Sequence, residues 1–275
     1  MLLTKRDLRI LESLTEYRLL TREQIQRLEF SPTGTTACKR RLGLLYHNGY
    51  IGRIALPINN AYGAARAVYF IDHMGRKALS IAHRIEQRPP RRTAEMSPTF
   101  VEHTLDVADV RIAFELACRS LLYDFMWTSE SDLRRSGIRI RLSGSADRHE
   151  TTIPDGLLDI TAAGERDSFA VEVDRGTVSE ERMRRRFRAY GEWSSRWTPP
   201  ATITSDSLRV LIVLTANGRD KRRLEHLKAW CEAEGGRSLF WFTAFDVATS
   251  NIIEAPVWQV AGQQGHRPLA LTGSG

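Results

Sequence analysis

"FAVEVDRGT" at residues 169–177 is a short apolar run with two carboxylates inside it. Strand side chains alternate between the two faces of a sheet. As a strand, this stretch puts Phe169, Val171 and Val173 on one face and Glu172 and Asp174 on the other. An isolated charge in a core is costly unless it is paired or holds a metal. Just upstream, "TTIPDGLLDITA" (151–162) reads as a second strand, and "GERD" (164–167) as a short turn between the two. Their pairing predicts a hairpin with Asp155 near Glu172. Two or three carboxylates on adjacent strands make a hard oxygen site suited to Mg²⁺ or Mn²⁺. Such an ion can polarise a phosphodiester and generate a hydroxide nucleophile. The competing reading is structural. Asp155 in Pro-Asp-Gly can be a turn residue, and Glu172 and Asp174 can pair with Arg175, Arg185 or Arg186.

The segments around this hairpin extend the pattern. A helical repeat at 98–121 places Val101, Leu105, Ala108, Ile112 and Leu116 at threes and fours. A strand follows around 124–130, then a loop carrying Arg134, Arg135, Arg139 and Arg141. After the hairpin, Thr177 with Glu180 reads as a capping box opening a helix at 178–193. "LRVLIVLTAN" (208–217) suits a strand covered on both faces. A helix at 219–234 and a strand at 238–245 complete the set. The order predicts an α/β (α+β) domain with a central mixed sheet over 99–260, and a flexible tail at 261–275.

The N-terminal third differs. Residues 1–92 hold 17 Lys/Arg against 7 Asp/Glu, while the remainder holds 23 against 26. The net charge of +7 therefore belongs to the front of the chain, where it favours a polyanion partner, nucleic acid first. Three helical patterns follow one another at 4–17, 20–30 and 31–51. Thr4 with Asp7 and Thr21 with Gln24 mark helix starts. In the third, Cys38, Leu42 and Leu45 form one stripe, and Thr35, Thr36, Lys39, Arg40 and His47 lie on the other face. Strands at 50–56 and 66–72 flank a polar tip, and a short helix at 73–82 closes the unit. Three helices and a hairpin match the plan of a winged helix-turn-helix. On that plan Thr35, Thr36, Lys39 and Arg40 would face a major groove. Arg53, Asn59, Asn60 and Arg66 would flank it from the wing. The winged helix spans 1–82, and the polar, Pro-containing stretch at 83–98 reads as a linker.

"PDG" followed by "EVD", within this order of helices and strands, resembles the PD-(D/E)xK nuclease pattern. The resemblance implies catalytic roles for Asp155, Glu172 and Asp174, with metal held by Asp155 and Glu172. Asp174 stands where the pattern has a lysine, and Arg186 on the next helix joins the catalytic candidates as a stabiliser of charge, being a poor base because it stays protonated. Over nearly the whole chain, "HTLDVADVRIAFELA", "IPDGLLDI", "VEVDRGT" and the Arg-rich helix ending in "RAY" are similar to the replication-relaxation family. That resemblance implies a sequence-specific binder of double-stranded DNA from a plasmid, phage or conjugative element, acting in replication, mobilisation or their transcriptional control. It implies relaxase or replication proteins as further partners. The nuclease-like domain is expected to be non-catalytic; the alternative is an Mg/Mn-dependent endonuclease. No cofactor is expected unless that site is active, when Mg²⁺ or Mn²⁺ would be needed.

Other features bound the class. With 42% apolar residues, the 275-residue chain can bury a core. No apolar run reaches the roughly 18–20 residues a membrane helix needs, so no membrane partner is expected. Three scattered cysteines without metal-ligand spacing fit a reduced, cytoplasmic protein. A homodimer is expected from the frequency of two-fold DNA binders.

Overall fold

The computed structural model describes residues 1–56, 66–83, 96–142, 150–196, 208–215, 221–244 and 251–272. Asn59, Asn60 and most of the expected 83–98 linker lie outside the described residues. The chain divides into two compact units, Met1–Ile112 and Ala113–Gly275. The residue pattern suggested a boundary at 83–98; the division instead falls inside one long helix.

The first unit is built from α1 (Lys5–Tyr17), β1 (Leu20–Thr21), α2 (Arg22–Glu29), α3 (Thr35–His47), β2 (Ile51–Leu56), β3 (Arg66–Ile71) and α4 (His73–His83). Both expected capping boxes form. The Thr4 side chain accepts from Asp7 N, and Thr21 accepts from Gln24 N while Gln24 reaches back to Thr21 N. Each satisfies two of the backbone donors a helix start leaves open. Ile10, Leu11 and Leu14 of α1, Ile25 of α2, and Cys38, Leu42 and Leu45 of α3 are all buried, as their spacing requires. β2 and β3 form an antiparallel hairpin, and β1 adds to its far side in the order β1-β3-β2.

Asp7 is fully buried yet charged, which a core tolerates only when the charge is met. Arg41 of α3 meets it with both Nε and Nη2, tying α1 to α3. Burial alone would raise the Asp7 carboxyl. The Arg41 and Thr4 hydrogen bonds outweigh it and hold the group below its ordinary range.

The helix α5 (Pro98–Leu121) begins in this unit. Gln24 Nε2 donates to Leu105 O at 2.9 Å, Arg27 pairs with Asp109 at 3.0 Å, and the Arg111 guanidinium lies 4.1 Å from the Tyr17 ring centroid. Val101 and Leu105 pack with Leu19 and Val68. The 98–112 stretch, expected to belong wholly to the second domain, packs with the first because its apolar stripe completes the core beside β3.

Gly75 of α4 is a close-approach position: a Cβ there would lie 2.3 Å from Tyr50 O. A backbone carbonyl cannot swing aside as a side chain can. Gly75→Ala is expected to destabilise the first unit by about 1–3 kcal/mol, read as a lowered thermal midpoint of helical circular dichroism. An unchanged midpoint would show that α4 shifts freely.

The second unit holds a six-stranded sheet in the order β11-β10-β9-β8-β7-β4. Its strands are β4 (Asp124–Ser129), β7 (Gly156–Ala162), β8 (Glu165–Asp174), β9 (Leu208–Leu214), β10 (Phe240–Ala244) and β11 (Gln259–Val260). β4, β7 and β8 run antiparallel; β8, β9 and β10 run parallel. Parallel neighbours need crossover connections. α7 (Glu180–Ser195) and α8 (Lys221–Ala233) supply them. The sheet is thus mixed, as the pattern predicted. Met183, Phe187 and Tyr190 of α7 and Leu227 of α8 pack on Ala170, Val210 and Phe242 of the sheet. A small two-stranded sheet pairs β5 (Ile140–Arg141) with β6 (Thr151–Thr152).

Three local expectations change. The arginine-rich loop after β4 begins as a helix, α6 (Glu130–Arg135), because Ser129 caps it by accepting from Asp132 N. The N-cap of α7 is Ser179 rather than Thr177, and no side chain caps it. The tail is not loose over 261–272. Leu269 and Leu271 are buried, and Thr272 donates from N and Oγ1 to Asp167 at 2.7 and 2.8 Å. Its anchor is Trp258, fully buried, stacked on Phe114 and donating from Nε1 to Ile252 O at 2.7 Å.

Candidate functional site

Two places answer to the sequence-derived candidates, one in each unit. The first is the acidic cluster. The β7–β8 register pairs Gly156 with Val171, so Asp155 lies beside Glu172 as the hairpin predicted. Asp155 N donates to Val171 O at 3.0 Å, and Val173 N donates to Asp155 Oδ2 at 2.8 Å. Asp155 thus caps the strand end with its own carboxylate.

Glu172 and Asp174 share a face with Ala170, and that is the face α7 and α8 cover. Both are 4% exposed. Their charges are matched by arginines from the two crossover helices. Arg186 Nη1 donates to Glu172 Oε2 at 3.0 Å, and the Tyr190 hydroxyl donates to the other oxygen, Oε1. Arg223 Nε donates to Asp174 Oδ2 at 2.9 Å and Nη2 to Oδ1 at 3.4 Å. Arg223 also donates to Val178 O at 2.8 Å and stacks on Trp230 at 5.1 Å. The Arg186 guanidinium is held protonated chiefly by the Glu172 charge, against burial, with Asp155 and Asp174 adding to it. Burial, and then the Glu172 charge, raise the Tyr190 hydroxyl well above its ordinary range, so it stays a donor.

Arg186 is the partner of Glu172, with Asp155 and Asp174 acting on it only as weaker charges. Sequence reasoning named Arg186 and the three acids but missed Arg223. Its partner lies 49 residues away, and no local spacing announces such a pair. Among the described residues, no group of three His, Cys, Asp or Glu side chains is arranged to hold a metal ion. With Glu172 and Asp174 each engaged through both oxygens, the acids as arranged do not fit Mg²⁺ or Mn²⁺. Their arrangement locks two helices onto a sheet.

The second place is the outward face of α3. Thr36, Lys39 and Arg40 are exposed and share it. Thr35 sits half-buried, its hydroxyl accepting from Gln26 Nε2 at 3.1 Å, so it fixes the α2–α3 turn. Arg53 and Arg66, on β2 and β3, are exposed. Arg53 lies over the Tyr46 ring at 4.7 Å. Tyr46 and Tyr69 were not among the sequence candidates; aromatic residues at an amphipathic boundary read equally well as core.

Together these features define a two-unit chain, a basic helical unit with a three-stranded sheet and a mixed α/β unit whose acids are locked by arginines. Residues 11–205 match the family model for replication-relaxation, and the chain belongs to that family. No curated protein is similar enough to be counted a relative. Two solved structures of the restriction endonuclease FokI, one of them bound to DNA, are each 14% identical to the chain. They cover 88% and 82% of it, with TM-scores of 0.31 and 0.26. The chain spans 41% of their length. No helix among the described residues is long and apolar enough to cross a membrane.

Proposed function

We propose that the chain is a sequence-specific double-stranded DNA-binding protein of a mobile element. It works in the cytoplasm, in replication, mobilisation or their transcriptional control, and its nuclease-like unit is non-catalytic. The observation that carries this reading is the outward face of α3, where Thr36, Lys39 and Arg40 are exposed together on the most basic part of the chain. On a winged-helix plan that helix enters the major groove. Lys39 and Arg40 meet phosphates or guanine edges there, and Thr36 a neighbouring base or phosphate. Arg53 and Arg66 approach the backbone from the hairpin; the contacts expected of Asn59 and Asn60 fall outside the described residues. Two copies of the chain read a two-fold site, and relaxase or replication proteins dock on the assembly. The second unit contributes docking surface rather than chemistry, because its acids are spent on Arg186 and Arg223.

The test is duplex affinity by fluorescence anisotropy at 50–200 mM salt, a range over which phosphate contacts weaken binding steeply. Lys39→Ala/Arg40→Ala is expected to bind at least about tenfold more weakly. Its log–log salt slope should fall by about one for each phosphate that no longer meets a cation. Affinity untouched by the double substitution would remove α3 as the reader. Plasmid cleavage in Mn²⁺, abolished by Asp155→Ala/Glu172→Ala, would overturn the non-catalytic half and restore the endonuclease reading.

A further inference from the structure

Between α3 and the β2–β3 hairpin lies a hollow of about 170 Å³. Its walls include Lys39, Gly43, Tyr46, His47, Arg53 and Tyr69. Gly43 faces open space on this wall: a Cβ built there meets nothing within 4 Å. Arg53 and Tyr69 are cross-strand partners, so their side chains leave the hairpin on one face. Lys39, Gly43, Tyr46 and His47 recur at threes and fours along α3 and line the opposite wall.

The polar groups around this hollow are left open. Among the described residues, Lys39, His47, Arg53 and Tyr69 have no hydrogen-bond or ion-pair partner. That contrasts with Arg22, Arg27 and Arg41 of the same unit, each of which holds a carboxylate. The nearby acid, Glu23, is itself paired with Arg22 at 2.5 Å. Arg53 is oriented without being used up. The guanidinium carbon lies over the Tyr46 ring, 4.7 Å from its centroid, a contact with the ring face that consumes none of its hydrogen-bond donors. Tyr46 is steadied in turn by an edge contact with His47 at 5.5 Å. Burial raises the Tyr69 hydroxyl, with Arg53 only partly opposing it, so it remains a proton donor.

We infer that this hollow seats one backbone phosphate of the bound duplex, gripped by Lys39, Arg53 and the Tyr69 hydroxyl, with Tyr46 holding the arginine in place. The inference rests on the DNA-binding reading and deepens it. A phosphate fixed at the junction of helix and hairpin sets how far α3 slides into the groove, because backbone contacts fix register and base contacts read sequence.

The experiment compares three proteins on the same duplex across salt: wild type, Gly43→Leu and Arg53→Gln. Gly43→Leu fills the hollow without changing charge, and the open space around position 43 lets the helix form. It is expected to bind about tenfold more weakly, the effect of removing one charge-assisted hydrogen bond. Arg53→Gln is expected to weaken binding similarly and to lower the log–log salt slope by about one. If wild type binds with a steep salt slope and Lys39→Ala/Arg40→Ala weakens it, but Gly43→Leu and Arg53→Gln match wild type, the hollow is not a phosphate seat and the reader survives. If wild type shows no salt-dependent affinity, the reader itself fails and the phosphate seat with it. A circular-dichroism melt of each variant confirms that the unit is folded.

Discussion

Arg186→Ala is expected to lower the free energy of unfolding by roughly 3–5 kcal/mol, the usual consequence of leaving a buried charge without its partner. Glu172 would keep the Tyr190 hydroxyl but lose the Arg186 guanidinium, in a position 4% exposed. Asp155 and Asp174 would also lose a nearby positive charge, though Asp174 keeps Arg223. The second variant tells charge from packing. Glu172→Gln/Arg186→Met removes both charges while keeping an acceptor for Tyr190 and an apolar stem for Arg186. It is expected to recover most of the loss, since a matched pair of charges is often replaceable by neutral groups at little cost. All six tryptophans lie in the second unit, so denaturant unfolding followed by tryptophan fluorescence reports on it directly. A loss as large in the double variant as in Arg186→Ala would mean that Arg186 acts through its bulk.

Arg41→Ala should cost the first unit about 2–3 kcal/mol at neutral pH, less than a fully dry pair because Arg41 is partly exposed. Asp7 would retain the hydrogen bonds from Thr4 N and Oγ1, each 2.6 Å, but lose its bidentate guanidinium. The pH dependence has a definite sign. The folded Asp7 carboxyl lies below its ordinary range, so its contribution is complete above the unfolded value of about 4. As pH falls further, the unfolded chain takes the proton first, and the contribution fades until the folded carboxyl is protonated too. The stability difference between wild type and Arg41→Ala should therefore be flat from pH 7 to about 5 and narrow below about 4. Hydrogen exchange on α1 amides measures it. A difference that stays constant to about pH 3, below the ordinary carboxylate range, would assign Arg41 a packing role only.

Some of this was legible in the residues. Thr4-x-x-Asp7 and Thr21-x-x-Gln24 mark helix starts, and both boxes form because their partners are three residues apart. The alternation in "FAVEVD" put Glu172 and Asp174 on one face, and the short turn brought Asp155 beside them. Lys39 and Arg40 lay opposite the Cys38–Leu42–Leu45 stripe and are exposed. By contrast, the Thr177 box failed although its spacing was right, since the chain enters α7 at Ser179.

By itself, then, the amino-acid order determined the elements, their faces and the grouping of the acids, because each depends on neighbours within a few residues. Only the tertiary structure decided what those groups became. It chose Arg186 and Arg223 as counter-charges, gave residues 98–112 to the first unit, and pinned the tail through Trp258, Leu269 and Thr272. Glu172 and Arg186 are 14 positions apart, and Asp167 and Thr272 are 105. At that range the choice of partner is set by which groups share a buried space and must satisfy one another there, and no local spacing encodes it.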